Sequence, residues 1–73
     1  MNMFAERLRE ILKEKNLSQE NLARKLDTTQ PTVQRWTAGK QEPSFDTLVK
    51  ICLELNTDPN DLLGFDEIRL MGK

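Results

Sequence analysis

The 73-residue sequence contains no histidine and no tyrosine, and it has a single cysteine, Cys52. Histidine is the most frequent acid–base catalyst, and a thiol without an imidazole partner is a poor nucleophile. A zinc site built from cysteine and histidine needs several such ligands, and one cysteine without any histidine cannot supply them. We therefore expect no enzymatic activity, no metal site and no cofactor. A lone cysteine also forms no internal disulfide, which is typical of proteins in a reducing cytoplasm.

Long hydrophobic runs are also missing from the sequence. A membrane-spanning helix needs about 20 apolar residues, so we predict no transmembrane segment. The first residues lack a basic region followed by an apolar one, so we expect no signal peptide. Glycine and proline number three each and form no linker. These features predict one domain over residues 1–73, with no attached ligand-sensing domain.

Charge is unevenly distributed along the chain, although the net charge is only −1. Residues 1–40 carry eight basic and five acidic residues, a net +3, whereas residues 41–73 carry three basic and seven acidic residues, a net −4. A local positive potential favours binding to nucleic acid. Ordinary solvated charged faces on both halves explain the same numbers equally well. Charge alone therefore does not show whether the basic half binds nucleic acid.

Capping residues and apolar periodicity predict an all-α fold. Ser18, Thr29 and Ser44 each precede an apolar-periodic segment and are good N-caps. Gly39 and Gly64 follow such segments and are typical helix stops. The predicted helices cover residues 3–15, 19–26, 30–38, 45–55 and 59–63, with a tail at 65–73.

Two sets of apolar residues predict the core. Val33 and Trp36, three residues apart, define the inner face of the third helix. The fourth helix is the most apolar element, and we expect it to lie at the centre of the core. Its predicted core residues are Phe45, Leu48, Val49, Ile51, Cys52 and Leu55.

The second and third helices resemble a known DNA-binding motif. The matching residues are Leu17-Ser18-Gln19, Leu22-Ala23, Thr29, Val33, Trp36 and Gly39. This pattern is similar to the phage-repressor (Cro/XRE-type) helix-turn-helix family, and the resemblance covers roughly residues 4–65. It implies a compact five-helix, lambda-repressor-like domain that binds operator DNA, usually as a dimer.

Two departures from the family pattern stand out. Asp27 occupies a turn position where the family usually has glycine, at a cost of order 1 kcal/mol. Leu12 and Thr37 replace a partly buried arginine–glutamate pair found in many relatives. Losing both partners together is benign, because no buried charge is left unpaired.

The outward face of the third helix is the expected base-reading surface. Glutamine can bind adenine and arginine can bind guanine through paired hydrogen bonds, and a proline ring can pack on a thymine methyl group. The alternative is that these residues form an ordinary solvated helix face without a role in DNA binding. The predicted base-reading residues are Gln30, Pro31, Gln34 and Arg35.

A second set is expected to hold the DNA backbone, which positions the protein without reading sequence. These residues lie at the start of the second helix, around the start of the third helix and in the loop after it. The predicted phosphate-binding residues are Gln19, Thr29, Thr32, Lys40 and Gln41.

The large apolar residues near the C-terminus need cover, so they either fold back on their own subunit or pack on a partner. The resemblance places the dimer contact at this end, so we expect them to pack on a partner. The predicted interface residues are Leu62, Phe65, Ile68, Leu70 and Met71. The sequence thus predicts a cytoplasmic, bacterial or phage-encoded transcriptional regulator, a repressor, that binds a pseudo-palindromic double-stranded DNA operator as a homodimer. The alternative is a protein-interaction module or antitoxin subunit of the same fold that acts through a protein partner such as a toxin or another regulator.

Overall fold

A computed structural model describes residues 3–63, which fold into five helices. The predicted all-α class is confirmed. Helices α4 and α5 have the predicted bounds, and the first three end one residue earlier than predicted. The helices are α1 (Met3–Glu14), α2 (Gln19–Lys25), α3 (Gln30–Thr37), α4 (Phe45–Leu55) and α5 (Pro59–Leu63).

One hydrophobic core joins all five helices. Helices α1, α3 and α4 bury apolar residues at helical spacing, and Leu22 and Ala23 of α2 and Leu62 of α5 complete the same cluster. Leu8 of α1, Leu22 of α2, Val33 of α3 and Ile51 of α4 have no measurable exposure. Trp36 lies in the same cluster at 3% exposure, so its predicted core position is confirmed. None of the helices within residues 3–63 has the length and apolar character to cross a bilayer.

The prediction for α4 was wrong at two positions. Phe45 is 78% exposed and Val49 is 41% exposed, whereas Ile51, Cys52 and Leu55 are buried as expected. Leu53 is 76% exposed and continues the outer row begun by Phe45 and Val49, since the three are spaced four residues apart. We call Phe45, Val49 and Leu53 the α4 stripe.

Leu62 also lies elsewhere than predicted. Its side chain is completely buried in the core of its own subunit. A buried side chain has no surface to offer a partner, so Leu62 is removed from the predicted dimer interface. The other predicted interface residues, Phe65, Ile68, Leu70 and Met71, lie outside the described residues.

Four helices end in the same hydrogen-bonded cap, in which one residue adopts a left-handed conformation. These residues are Asn16, Asp27, Gly39 and Asn56, with φ values of 56°, 56°, 76° and 50°. In the turn after α2, the Thr28 N–H donates to the Ala23 carbonyl at 2.9 Å and the Asp27 N–H donates to the Arg24 carbonyl at 3.3 Å. This is the Schellman arrangement, which satisfies carbonyls at the helix end.

Cys52 behaves as a small hydrophobic residue. It is a free cysteine within the core, and its exposure is 7%. Burial raises the pKa of the Cys52 thiol, and the negative charge of Asp58 raises it further. The neutral thiol is therefore favoured, which agrees with a packing role and not with a reactive one.

Replacing Asp27 with glycine should stabilise the fold. Asp27 holds φ at 56°, where a side chain is disfavoured and glycine is not. We expect Asp27→Gly to raise the free energy of unfolding by about 1 kcal/mol, which corresponds to about 4–8 °C in Tm for a domain of this size. Thermal unfolding followed by circular dichroism measures this shift.

The matched control is Asp46→Gly. Asp46 is an exposed residue in the first turn of α4, where φ is helical and glycine is less favourable than aspartate. The substitution also removes a carboxylate that interacts favourably with the positive end of the helix dipole, an interaction worth about 0.3–1 kcal/mol. The same substitution should therefore lower Tm at residue 46 and raise it at residue 27. A decrease at both positions would contradict the assigned strain.

Candidate nucleic-acid interface

The turn between α2 and α3 places one face of α3 in the core and the other in solvent. Thr29 caps α3, and its side-chain oxygen accepts the Thr32 N–H at 3.4 Å. Val33 and Trp36 anchor the inner face in the core. All four predicted base-reading residues are exposed, namely Gln30, Pro31, Gln34 and Arg35. The structure thus brings these side chains together on one helix.

Gln30 is braced by a line of hydrogen bonds that leads into the core. Its Nε2 donates to Oε1 of Gln19 at 3.2 Å, and Nε2 of Gln19 donates to Oγ1 of Thr37 at 3.0 Å. The Thr37 hydroxyl donates in turn to the Gln34 carbonyl at 3.0 Å. We call Gln30, Gln19 and Thr37 the α3 relay. The relay connects an exposed side chain at the start of α3 to a buried one at its end.

Arg35 is held by a second, separate line. Its Nε donates to Oε1 of Gln41 at 2.8 Å, and its Nη2 donates to Oγ1 of Thr32 at 3.2 Å. The Thr32 hydroxyl also lies 2.8 Å from that of Thr29. Of the predicted phosphate-binding residues, Thr32 and Gln41 therefore contact Arg35 directly, and Thr29 contacts Thr32.

This arrangement leaves one edge of the Arg35 guanidinium for another partner. Gln41 and Thr32 occupy the edge formed by Nε and Nη2. Within residues 3–63, the opposite edge, which includes Nη1, makes no hydrogen bond. A guanidinium edge of two parallel N–H groups matches the O6 and N7 acceptors of guanine.

The side-chain amide of Gln19 also uses only some of its hydrogen-bonding groups within the protein. Its oxygen accepts from Gln30, and one of its two N–H bonds is directed to Thr37. A side-chain amide has two N–H donors, so these two contacts leave the second N–H unused. The structure therefore places Gln19 as a brace that retains one donor.

Charges of both signs border this surface. Lys40 is exposed just after α3, and its backbone N–H donates to the Arg35 carbonyl at 2.9 Å. That bond keeps the loop close to the exposed end of α3. The carboxylates of Asp27 and Glu42 are exposed on the flanking turns. Within the described part of the chain, Arg35 and Lys40 form no ion pair with them.

The contact of Arg9 with α3 and the hydrogen bonds of Thr37 were not predicted from the sequence. The guanidinium of Arg9 in α1 donates through Nη1 to the Thr37 carbonyl at the end of α3. A polar residue directly after Trp36, next to the buried stripe, was a signal that Thr37 needs partners. Nothing local in the sequence indicated that Arg9, 28 residues away, is one of them.

Comparison with protein families gives a match over most of the chain. A family model described as helix-turn-helix matches residues 8–62, which include α2, the turn and α3. An uncharacterized HTH-type transcriptional regulator of Bacillus subtilis, YqaE, is 38% identical over 61 residues. These residues make up 84% of this chain and 53% of the relative, so the chain spans about half the length of that protein.

A solved structure shows the same fold. The restriction-modification controller protein C.AhdI from Aeromonas hydrophila superposes with a TM-score of 0.77 at 31% sequence identity. The match covers 84% of this chain and 92% of that protein. The five-helix arrangement and the α2–turn–α3 unit are therefore shared with a protein of related sequence.

Proposed function

Because the chain belongs to the phage-repressor-like (Cro/XRE-type) helix-turn-helix family of DNA-binding regulators, we propose that it binds a specific DNA operator and regulates transcription. The observation that carries this proposal is the exposed face of α3, where Gln30 and Arg35 are each held in place by other side chains. Side chains that are already ordered lose little conformational entropy on binding. Such a surface suits sequence reading better than an unordered polar face does.

The proposed binding mode places α3 in the major groove. Gln30, Gln34 and Arg35 face base edges, and the ring of Pro31 packs against a thymine methyl group. Lys40, the second N–H of Gln19, and the hydroxyls and amide around Arg35 hold the flanking phosphates. A domain seated in the groove blocks other proteins from the same DNA, so repression is the proposed outcome. The proposed location is the cytoplasm, where bacterial and phage DNA lies.

The relatives support the regulatory part of this proposal. YqaE is named as a transcriptional regulator, and C.AhdI is described as a restriction-modification controller. Both names fit a protein that controls genes by binding DNA. Which genes this chain controls is a property of its operator and not of its fold.

A homodimer is the second part of the proposal. Two copies related by a two-fold axis read two half-sites about 34 Å apart on one face of the duplex. We propose that the second copy covers the α4 stripe, whose three members are the large hydrophobic residues exposed within residues 3–63. Two antiparallel stripes place Phe45 opposite Leu53 of the second copy, with the smaller Val49 at the axis.

The size of the stripe also bears on the interface. A stable dimer buries about 800 Å² on each partner, which is more than three side chains supply. Residues 64–73 lie beyond the described part and include Phe65, Ile68, Leu70 and Met71. We propose that they supply the remaining apolar area, as the sequence predicts.

Arg35→Ala tests the assignment of base readers. We expect the variant to lose its preference at one operator position, at a cost of about 1–3 kcal/mol, and to keep its preferences elsewhere. The DNA is the site that the wild-type protein selects from random sequence. Affinities for single-base variants of this site, measured by fluorescence anisotropy, give the preference at each position.

Lys40→Ala is the matched control, since it also removes one exposed cation from the same surface. A phosphate contact carries no sequence information, so this loss should weaken binding evenly across all variants of the site. The slope of log affinity against log salt should fall by about one per subunit. Identical position-independent losses for both substitutions would contradict the reader assignment.

Leu53→Glu tests the dimer surface. Leu53 is 76% exposed, so the substitution leaves the core intact while it places a charge on each side of the proposed interface. We expect sedimentation equilibrium to show a dimer for the wild-type protein and a monomer for the variant.

Lys13→Glu is the control, because it adds a carboxylate at an exposed position of a different helix, α1. This variant should dimerise normally. A wild-type protein that remains monomeric at micromolar concentrations, or a Leu53→Glu protein that still dimerises, would contradict the proposed surface.

A further inference from the structure

The α3 relay fixes the direction of every hydrogen bond in it. Oγ1 of Thr37 lies 3.0 Å from the Gln34 carbonyl oxygen, which cannot donate. The single hydroxyl proton must therefore point to that carbonyl. Toward Gln19 the hydroxyl is only an acceptor, so Gln19 presents its N–H to Thr37 and its oxygen to Gln30.

The orientation of the Gln19 amide in turn determines the orientation of the exposed Gln30 amide. An oxygen acceptor on Gln19 requires an N–H donor from Gln30. The carbonyl oxygen of Gln30 and its second N–H are left for the DNA. Adenine offers a complementary donor at N6 and acceptor at N7, whereas guanine offers two acceptors.

From this geometry we infer that Thr37 is a positioning residue that sets Gln30 to select adenine over guanine at one base pair of the operator. This inference rests on the proposed function. It adds that base specificity depends on a buried side chain that does not touch DNA. Thr37 is 4% exposed, and its own backbone is held from α1 by Arg9.

The relay also explains how Thr37 is tolerated in the core. Its hydroxyl accepts one hydrogen bond and donates another, so burial leaves no polar atom without a partner. Its Oγ1 bonds back to the carbonyl three residues earlier, a local pattern that serine and threonine commonly adopt. Valine has the same branched shape and helix propensity but supplies no acceptor.

The test compares Thr37→Val with Thr37→Ser. Serine keeps the hydroxyl, and valine removes it. The base pair that Gln30 contacts is identified first, as the position where Gln30→Ala loses its preference. Without the relay, Gln30 must be ordered on binding and can present its amide in either orientation. We expect Thr37→Val to reduce the adenine-over-guanine preference at this pair about three- to tenfold, and Thr37→Ser to keep it.

A role in stability alone predicts a different pattern. In that case Thr37→Val lowers Tm and weakens binding evenly at all positions, including the pair read by Arg35, and this result would overturn the inference. Unchanged adenine preference in Thr37→Val would overturn it too, as would a Gln30→Ala variant that loses no preference at any pair.

A measurement on the free protein separates this inference from the proposed function. The side-chain amide signals of Gln19 in a ¹⁵N–¹H NMR spectrum should shift in Thr37→Val and return to their wild-type positions in Thr37→Ser. Signals that stay in place in Thr37→Val overturn the relay, even if operator binding is confirmed. A wild-type protein that selects no operator overturns the proposed function, even if the amide signals behave as expected.

Discussion

The packing of Val33 and Trp36 into the core is the constraint on which the rest of the interface depends. These residues fix the rotation of α3 about its own axis, because both side chains are buried in the core only when this face of the helix points inward. If α3 were rotated by one residue, about 100°, the residues that now face solvent would point in a different direction. Once the inner face is set, Gln30, Gln34 and Arg35 must point to solvent. The apolar core therefore determines which polar groups are presented.

Hydrogen bonds between polar side chains then hold individual residues on the outward face of α3. The α3 relay connects Gln30 to the buried Thr37 hydroxyl through Gln19. Arg35 is held by hydrogen bonds to Thr32 and Gln41 at the surface. Each hydrogen bond adds only about 0.5–1.5 kcal/mol to stability. Their larger effect is on order, since each network holds an exposed amide or guanidinium so that it presents one pattern of donors and acceptors. Under the proposed function, these two networks order the side chains that read base pairs.

Features that depend on neighbouring residues were predictable from the sequence. The caps at Ser18, Thr29 and Ser44 follow from local hydrogen bonding, and each accepts a backbone N–H three residues later as expected. The left-handed turn at Asp27 follows from the motif, although aspartate is not the preferred residue there. The outward face of α3 follows from helical spacing between two buried residues.

Features that depend on which elements meet in space were not predictable. Apolar residues cover more than one face of α4, so periodicity alone did not show that Phe45 and Val49 point away from the core. Leu62 carried no sign that it would be buried in its own subunit. The bond from Gln19 to Thr37 joins residues 18 positions apart, and only the packing of α2 against α3 brings them together.

The most direct test of the central claim, that α3 presents a sequence-reading surface to DNA, is selection of bound sequences from a random DNA pool at two salt concentrations. We predict recovery of a two-fold symmetric site with half-sites one helical turn apart and affinity that falls steeply as salt rises. A pool without a consensus, combined with weak binding that disappears at physiological salt, would contradict this account.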